Sequence, residues 1–164
     1  MPRKSLDPHA ALRKHLLDLL DGGNAHARLD DIVKDLPAKF RGTKPANFPH
    51  SAWMLLEHVR IAQWDILEFS RNPKHVSPNW PSGYWAQSEG PADALAWAKS
   101  VDQVRADMKA MRDLVANPKT DLFARIPWGE GQTLLREALL VADHNAYHLG
   151  QMVDVIRLLG AWKS

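Results

Sequence analysis

The chain of 164 residues has the length of a single domain, and a domain of this size buries roughly 70% of its unfolded surface. It contains no cysteine, which excludes disulfides, cysteine-ligated zinc, iron–sulfur clusters and a protein thiol nucleophile. Its 21 basic and 19 acidic residues give a net charge of only +2 without a dense basic block, so no nucleic-acid partner is indicated. We expect one domain over residues 1–164.

The sequence carries no signal for secretion or for a membrane span. Residues 1–8 lack the apolar run of a secretory signal, and no stretch approaches the roughly 18 apolar residues of a membrane span. We therefore expect a cytoplasmic protein that has no membrane contact.

The first half of the chain predicts two long helices and a short one. A leucine stripe over residues 8–21 predicts the first helix, which Gly22 and Gly23 close. The stripe consists of Leu12, Leu16, Leu19 and Leu20. A short amphipathic turn or helix is predicted around residues 29–36, followed by a proline-rich connection. The second long helix is predicted over residues 51–70.

The second half predicts a long loop and two further helices. Residues 73–91 hold four prolines and three large aromatic side chains, which is typical of a binding-site lid and also of a plug over one end of the core. Apolar residues spaced by three and four from Ala94 to Val115 predict a core-facing helix over residues 91–116. A last helix is predicted from Thr133 to Leu159. The whole pattern predicts an all-α four-helix bundle without strands or repeats.

Two histidines on the last predicted helix are the most informative feature. His144 and His148 lie four residues apart, so both imidazoles project from one helical face. That face also carries Val141 and Val155, which places it toward the bundle interior. Neutral imidazole is a common ligand of zinc and similar divalent metals. Because a catalytic site usually has three protein ligands, a third is needed.

His58 on the second long helix is the candidate for that third ligand. It lies on a face with Met54, Leu55 and Ala62, which is also the face expected to point inward. A single inward histidine is more often a core residue with a hydrogen bond, but burying three imidazoles without partners is costly. The sequence therefore favours a metal site. The other histidines are expected to be exposed: His9, His15, His26, His50 and His75.

Three segments, taken in their order along the chain, resemble those of a known family. They are residues 50–69 around His58, the loop Gly83-Tyr84-Trp85, and residues 128–133 leading into the helix of His144 and His148. With these segments the chain resembles the DinB/YfiT-like superfamily of metal-dependent proteins. The resemblance implies a four-helix bundle with a long crossover connection and a metal, usually zinc or nickel, held by the three histidines and water. It also implies activities that include thiol-dependent S-transfer and a thiol-dependent isomerisation.

Two carboxylates near the predicted ligands have alternative roles. Asp65 lies two turns from His58 and either orients a ligand histidine, holds a water, or pairs with an arginine elsewhere in the bundle. Glu137 lies two turns before His144 and is our candidate catalytic base, the alternative being a side chain that reaches solvent near the helix start.

The remaining neighbours are candidates for binding or packing. Gln151 is a possible donor to a ligand, whereas Asn145 and Tyr147 are expected in packing or interhelical hydrogen bonds. Four aromatic residues either form the wall of a substrate pocket or only pack. They are Trp80, Tyr84, Trp85 and Trp128.

Two functions follow as hypotheses. The first is a metal-dependent enzyme that acts on a small-molecule substrate, either by transferring a low-molecular-weight thiol or by hydrolysis with metal-activated water. The absence of cysteine is compatible with an external thiol. The second is a noncatalytic metal-binding or stress-response protein whose surface mediates association. Apolar bundle faces make a homodimer a further expectation.

Overall fold

The computed structural model describes residues 8–162, which form five α-helices joined by loops. The helices are α1 (Pro8–Asp21), α2 (Leu29–Val33), α3 (Ala52–Arg71), α4 (Ala94–Ala116) and α5 (Leu134–Leu158). Within residues 8–162 there is no strand, only one isolated bridge between Arg125 and Thr133. The all-α prediction is confirmed. The expectation about residues 1–8 falls almost wholly outside the described residues.

Side-chain caps fix where the three long helices α3, α4 and α5 begin. Ser51, Asp93 and Thr133 each accept a hydrogen bond from the backbone N–H three residues later, which satisfies a donor that the first helical turn leaves free. The sequence predicted that α4 starts at residue 91, but the structure starts it at Ala94 because Asp93 is its cap. None of the described helices is long and apolar enough to cross a bilayer.

Helix α3 is the centre of the bundle. It packs against both α4 and α5, and α1 packs against α4 and α5. Leu55, Leu56 and Leu67 on α3 are fully buried, so this helix has buried side chains on several faces. Two apolar clusters fill the interior. One lies toward α2 and the start of α3. The other lies between α1, the second halves of α3 and α4, and the first half of α5.

Two positions predicted for the core lie at its edge. Leu19 is 48% exposed although it belongs to the predicted leucine stripe of α1. Ala94, the first residue of the predicted α4 stripe, is also exposed, whereas Trp97, Val101 and Met111 on the same stripe are buried. These departures occur near a helix end, where the packing partner no longer covers the helix.

The loop between α3 and α4 is fastened to the start of α3. Ser51 Oγ donates to the Glu89 carbonyl, and Trp53 Nε1 donates to Ser88 Oγ at 3.3 Å. Gly42 approaches the backbone of Gly90 so closely that a Cβ on Gly42 would lie 2.6 Å from the Gly90 Cα, which only glycine permits. The loop therefore runs along α3, beside the helix that carries His58.

Candidate metal centre

Three histidines from two helices converge inside the bundle. His58 comes from α3, and His144 and His148 come from α5. One ring nitrogen of each lies within 4.8 Å of those of the other two. The Nε2 atoms of His58 and His144 are 3.1 Å apart. His58 and His148 are buried, and His144 is half-buried. The structure thus brings together the three residues that the sequence singled out.

Hydrogen bonds at the second ring nitrogen orient two of these imidazoles. His58 Nδ1 lies 2.8 Å from the Tyr84 carbonyl oxygen. Since a carbonyl only accepts, Nδ1 donates its proton and Nε2 keeps a free lone pair. His148 Nδ1 lies 2.8 Å from Gln151 Oε1, so it is held in the same way. Gln151 is therefore an acceptor here, not the donor that the sequence suggested.

The surroundings favour the neutral form of all three imidazoles. Burial lowers the pKa of His58, although the bond to the Tyr84 carbonyl opposes this. Burial also lowers the pKa of His148, against the bond to Gln151. Burial, followed by the charges of His148 and His58, lowers the pKa of His144 to about 4. Three neutral nitrogens that face one another are a donor set suited to zinc or nickel.

His144 has an unsatisfied polar atom. Its Nδ1 is buried and has no hydrogen-bond partner among residues 8–162, and its Nε2 lies 3.1 Å from the Nε2 of His58. Clustered imidazoles with so few partners are unfavourable without a shared cation. The clustered imidazole nitrogens of these residues therefore fit a bound metal ion, and this argument does not depend on family likeness.

Trp85 forms a wall against His58. The two rings are parallel, with an interplanar angle of 1° and centroids 3.9 Å apart. The indole also stacks on His50, with ring centroids 4.2 Å apart. His50 was expected to be exposed, but this stacking makes it half-buried. Its position depends on the fold of the loop that carries Trp85, and nothing in the sequence around His50 signals it.

Asp65 supports the site through Tyr84. The Tyr84 hydroxyl donates to Asp65 Oδ2 at 2.6 Å, while the backbone carbonyl of the same tyrosine accepts the His58 proton. Burial, with the adjacent Asp65, raises the pKa of Tyr84 to about 12. The other oxygen of Asp65 lies 2.7 Å from His75 Nε2. Asp65 is therefore linked to a predicted ligand by way of the loop, and its partner is not an arginine.

His75 corrects a prediction. The sequence suggested an exposed histidine in the loop, but only 6% of its side chain is exposed. The imidazole is covered because it pairs with Asp65 and packs against the edge of Trp64. A loop histidine with a buried carboxylate partner cannot be recognised from sequence, since the partner lies ten positions earlier on a helix.

Glu137 is buried, in contrast to the alternative that placed it in solvent. Its side chain is 3% exposed and accepts a hydrogen bond from Arg136 Nη1 at 2.8 Å. Burial raises its pKa, and Arg136 opposes the rise. Among the described residues, the side chains whose ligand atoms lie close enough together to hold one metal ion are the three histidines, and Glu137 is not one of them. Its role as a catalytic base stays a prediction.

The four aromatic residues proposed as a pocket wall divide into two pairs. Tyr84 and Trp85 contact His58 directly. Trp80 is 75% exposed and contacts Tyr84, while Trp128 donates to the Phe69 carbonyl at 2.7 Å. Within residues 8–162, Trp80 and Trp128 form no ring contact or hydrogen bond with the three histidines.

Two neighbours of the histidines on α5 differ in environment. Asn145 is buried and donates to Gln63 Oε1 at 2.6 Å, which is the interhelical bond expected of it. Tyr147 is 64% exposed, and its ring meets the edge of His148 at 4.9 Å. Tyr147 therefore lies at the solvent side of the cluster.

Comparison with known proteins places the chain in a family. The family model of the DinB superfamily matches residues 23–152, which include all three histidines. Neither the curated proteins nor the solved structures compared with this chain gave a significant match.

Proposed function

The chain belongs to the DinB superfamily, and from that premise we propose that it is a metal-dependent enzyme. His58, His144 and His148 would hold a divalent ion, zinc or nickel. The observation that carries this proposal is the convergence of three ring nitrogens within 4.8 Å of one another. The protons fixed on Nδ1 of His58 and His148 support it, because they leave Nε2 free to coordinate.

The reaction that we propose is attack by a low-molecular-weight thiol on an electrophilic small molecule. A divalent ion held by the three histidines would supply a Lewis acid that lowers the pKa of a thiol or a water enough for it to lose its proton at neutral pH. The chain itself offers no cysteine for this role. Hydrolysis by activated water is the nearest alternative within the same site.

The residues around the cluster have defined tasks in this proposal. The Tyr84 carbonyl and the Gln151 amide oxygen hold the Nδ1 protons of their histidines. Trp85 covers one face of His58 and keeps water from it. Tyr147, which is exposed beside His148, is placed to contact an apolar part of the substrate.

A noncatalytic metal-binding protein is the second candidate. The exposed aromatic side chains of Trp80 and Tyr147 favour it, because large exposed apolar groups also mark surfaces that bind partner proteins. In this case the histidine cluster would have a structural role, and turnover would be absent at full metal occupancy.

A thiol titration separates these functions. Metal-loaded protein is mixed with chlorodinitrobenzene and increasing N-acetylcysteine, so that a sulfur–carbon bond forms, chloride leaves and the thiol proton passes to solvent. A rate that saturates with thiol and is absent in the His144→Ala variant supports transfer. Cleavage of an activated ester that is indifferent to thiol supports hydrolysis. No turnover across a panel of electrophiles, despite full metal loading, would overturn the enzyme proposal.

A further inference from the structure

A cavity lies outside the histidine cluster. It has a volume of about 250 Å³ and is enclosed by the end of α1, the residues that follow it, α4 and α5. Its floor is apolar and consists largely of core side chains, among them Leu20, Val59, Val104 and Leu149, each at most 8% exposed. No ring of His58, His144 or His148 lines it.

The rim of this cavity is positively charged. Four of its lining residues are basic and two are acidic, although the whole chain has a net charge of only +2. The basic residues are Arg28, Arg105, Lys109 and Arg112, and the acidic ones are Asp21 and Asp30. Cations gathered at the mouth of an apolar cavity attract an anion and raise its local concentration.

Arg28 is the cation most available to a ligand. Arg105 pairs with Asp30, and Arg112 pairs with Asp21. Lys109 pairs with Asp113. Within the described residues, the Arg28 side chain has no ion pair and no hydrogen bond, and it is exposed at the rim. A guanidinium in this state can bind a carboxylate through two parallel hydrogen bonds.

From these features we infer that the cavity binds a small amphipathic carboxylate, with its apolar part on the floor and its carboxylate at Arg28. The volume admits a ligand of about ten non-hydrogen atoms, and such a ligand is smaller than a typical drug molecule. The inference goes beyond the proposed function and does not depend on it, because no residue of the histidine cluster takes part.

The cavity is nevertheless adjacent to the helical turns that carry the histidines. Val59, Asn145 and Leu149 line it, and each directly follows one of the three histidines in sequence. Backbone amide signals of these three residues are therefore suitable reporters of where a ligand sits.

Octanoate and octanol, which share an apolar chain and differ in charge, test the inference. Binding is measured on chelator-treated protein, so that no carboxylate can coordinate a metal at the histidines. We expect saturable binding of octanoate with a Kd of about 1 mM or tighter. Octanol should bind about fivefold more weakly, and the amide signals of Val59, Asn145 and Leu149 should shift on binding.

Three variants make the result decisive. Arg28→Gln should weaken octanoate binding about fivefold and leave octanol unaffected, while Lys99→Gln, an exposed cation on α4 outside the cavity, should change neither. Ala146→Phe should fill the cavity and remove binding of both; if this variant does not fold, the comparison of Arg28→Gln with Lys99→Gln decides alone. Equal affinity for octanoate and octanol, or no effect of Arg28→Gln, would overturn the inference.

Discussion

Of the three imidazoles, His144 is the one whose Nδ1 has no hydrogen-bond partner in the described part of the chain. This Nδ1 is buried, and the Nε2 of His144 lies 3.1 Å from that of His58. A buried polar group that is unpaired lowers the stability of a metal-free protein. The position of His144 is therefore better explained by ligand binding than by packing.

We predict that His144→Ala abolishes tight metal binding, because two protein ligands remain where three are needed. The metal-free variant should lose at most about 1–2 kcal/mol of unfolding free energy. Elemental analysis and urea unfolding of the same preparations measure both effects. His9→Ala, an exposed histidine at the start of α1, is the control and should retain its metal. Equal metal content in wild type and the His144→Ala variant would refute the assignment.

Tyr84 offers a test of the link from Asp65 to the site. Tyr84→Phe removes the hydroxyl that donates to Asp65 but keeps the backbone carbonyl that holds His58. We expect metal affinity to fall by about threefold to tenfold, because groups that orient a ligand contribute to affinity even when they do not touch the metal. Competition with a coloured chelator measures this. If affinity is unchanged while the melting temperature falls, Asp65 only anchors the loop.

The low pKa of His144 predicts a pH dependence of stability in the metal-free protein. Its pKa is about 4 in the folded state and 6.5 ordinarily, so the unfolded chain binds the proton more readily. The neutral imidazole thus contributes stability that is fully present above about pH 6.5 and is lost as the pH falls toward about 4. Urea unfolding across this range should show a steeper loss in wild type than in the His144→Ala variant.

The same comparison removes the contributions of two buried carboxyls outside the histidine cluster. Burial raises the pKa of Glu137 and Asp107, so these carboxyls act in the opposite direction and favour folding at lower pH. They are present in both proteins and cancel in the difference. Identical pH profiles would mean that His144 is not desolvated as the structure indicates.

The histidine cluster was predictable from sequence, whereas the contacts that hold its members in place were not. His144 and His148 share a face through helical spacing alone, and His58 follows from the apolar pattern around it. The stacking of His50 on Trp85 and the pairing of His75 with Asp65 depend on the path of residues 72–93. That loop has no periodicity, so its contacts with α3 are set by tertiary structure.

At the scale of elements, Ser51 joins a helix to the loop that covers it. Its Oγ accepts from the Met54 N–H at 3.2 Å and donates to the Glu89 carbonyl. Ser51 is completely buried, so loss of its hydroxyl would leave both the Met54 N–H and the Glu89 carbonyl without this partner. One side chain therefore fixes the start of α3 and the end of the loop that carries Tyr84 and Trp85.

We predict that Ser51→Ala lowers the unfolding free energy by about 2 kcal/mol, which is the cost of a cap and of a second unpaired buried group. Thr133→Ala is the matched control: it removes the cap of α5, which accepts from Arg136 N–H at 3.2 Å, and should cost about 1 kcal/mol. Chemical denaturation compares the two. An equal or smaller loss for Ser51→Ala would mean that its bond to Glu89 adds nothing.

The start of α4 was less predictable than its existence. The stripe from Trp97 to Val115 identified α4, because apolar periodicity reports the buried face directly. The first turn of a helix is decided by a cap, and the segment before α4 holds both Pro91, a common first helical residue, and Asp93. The structure selects Asp93, whose side chain accepts from Ala96 N–H at 2.7 Å.

At the scale of the whole molecule, the two apolar clusters of the core do not include the three histidines. One apolar cluster includes Leu56, Trp97 and Met152, and the other includes Leu67 and Met111. Neither requires an ion to be buried. The homodimer remains a prediction, for which the exposed apolar residues on α5 offer a surface.

We predict that the fold survives removal of the metal, since a chain of this length has enough core to fold alone. Metal at about 100 times its Kd adds about 2.7 kcal/mol to stability, which corresponds to a rise in Tm of about 5–10 °C. Circular dichroism of chelated and reloaded protein should therefore show the same helical signal at room temperature and different melting points. The His144→Ala variant should show no shift on adding metal. Loss of the helical signal after chelation would mean that the ion holds the bundle together, in which case the cluster is a structural centre.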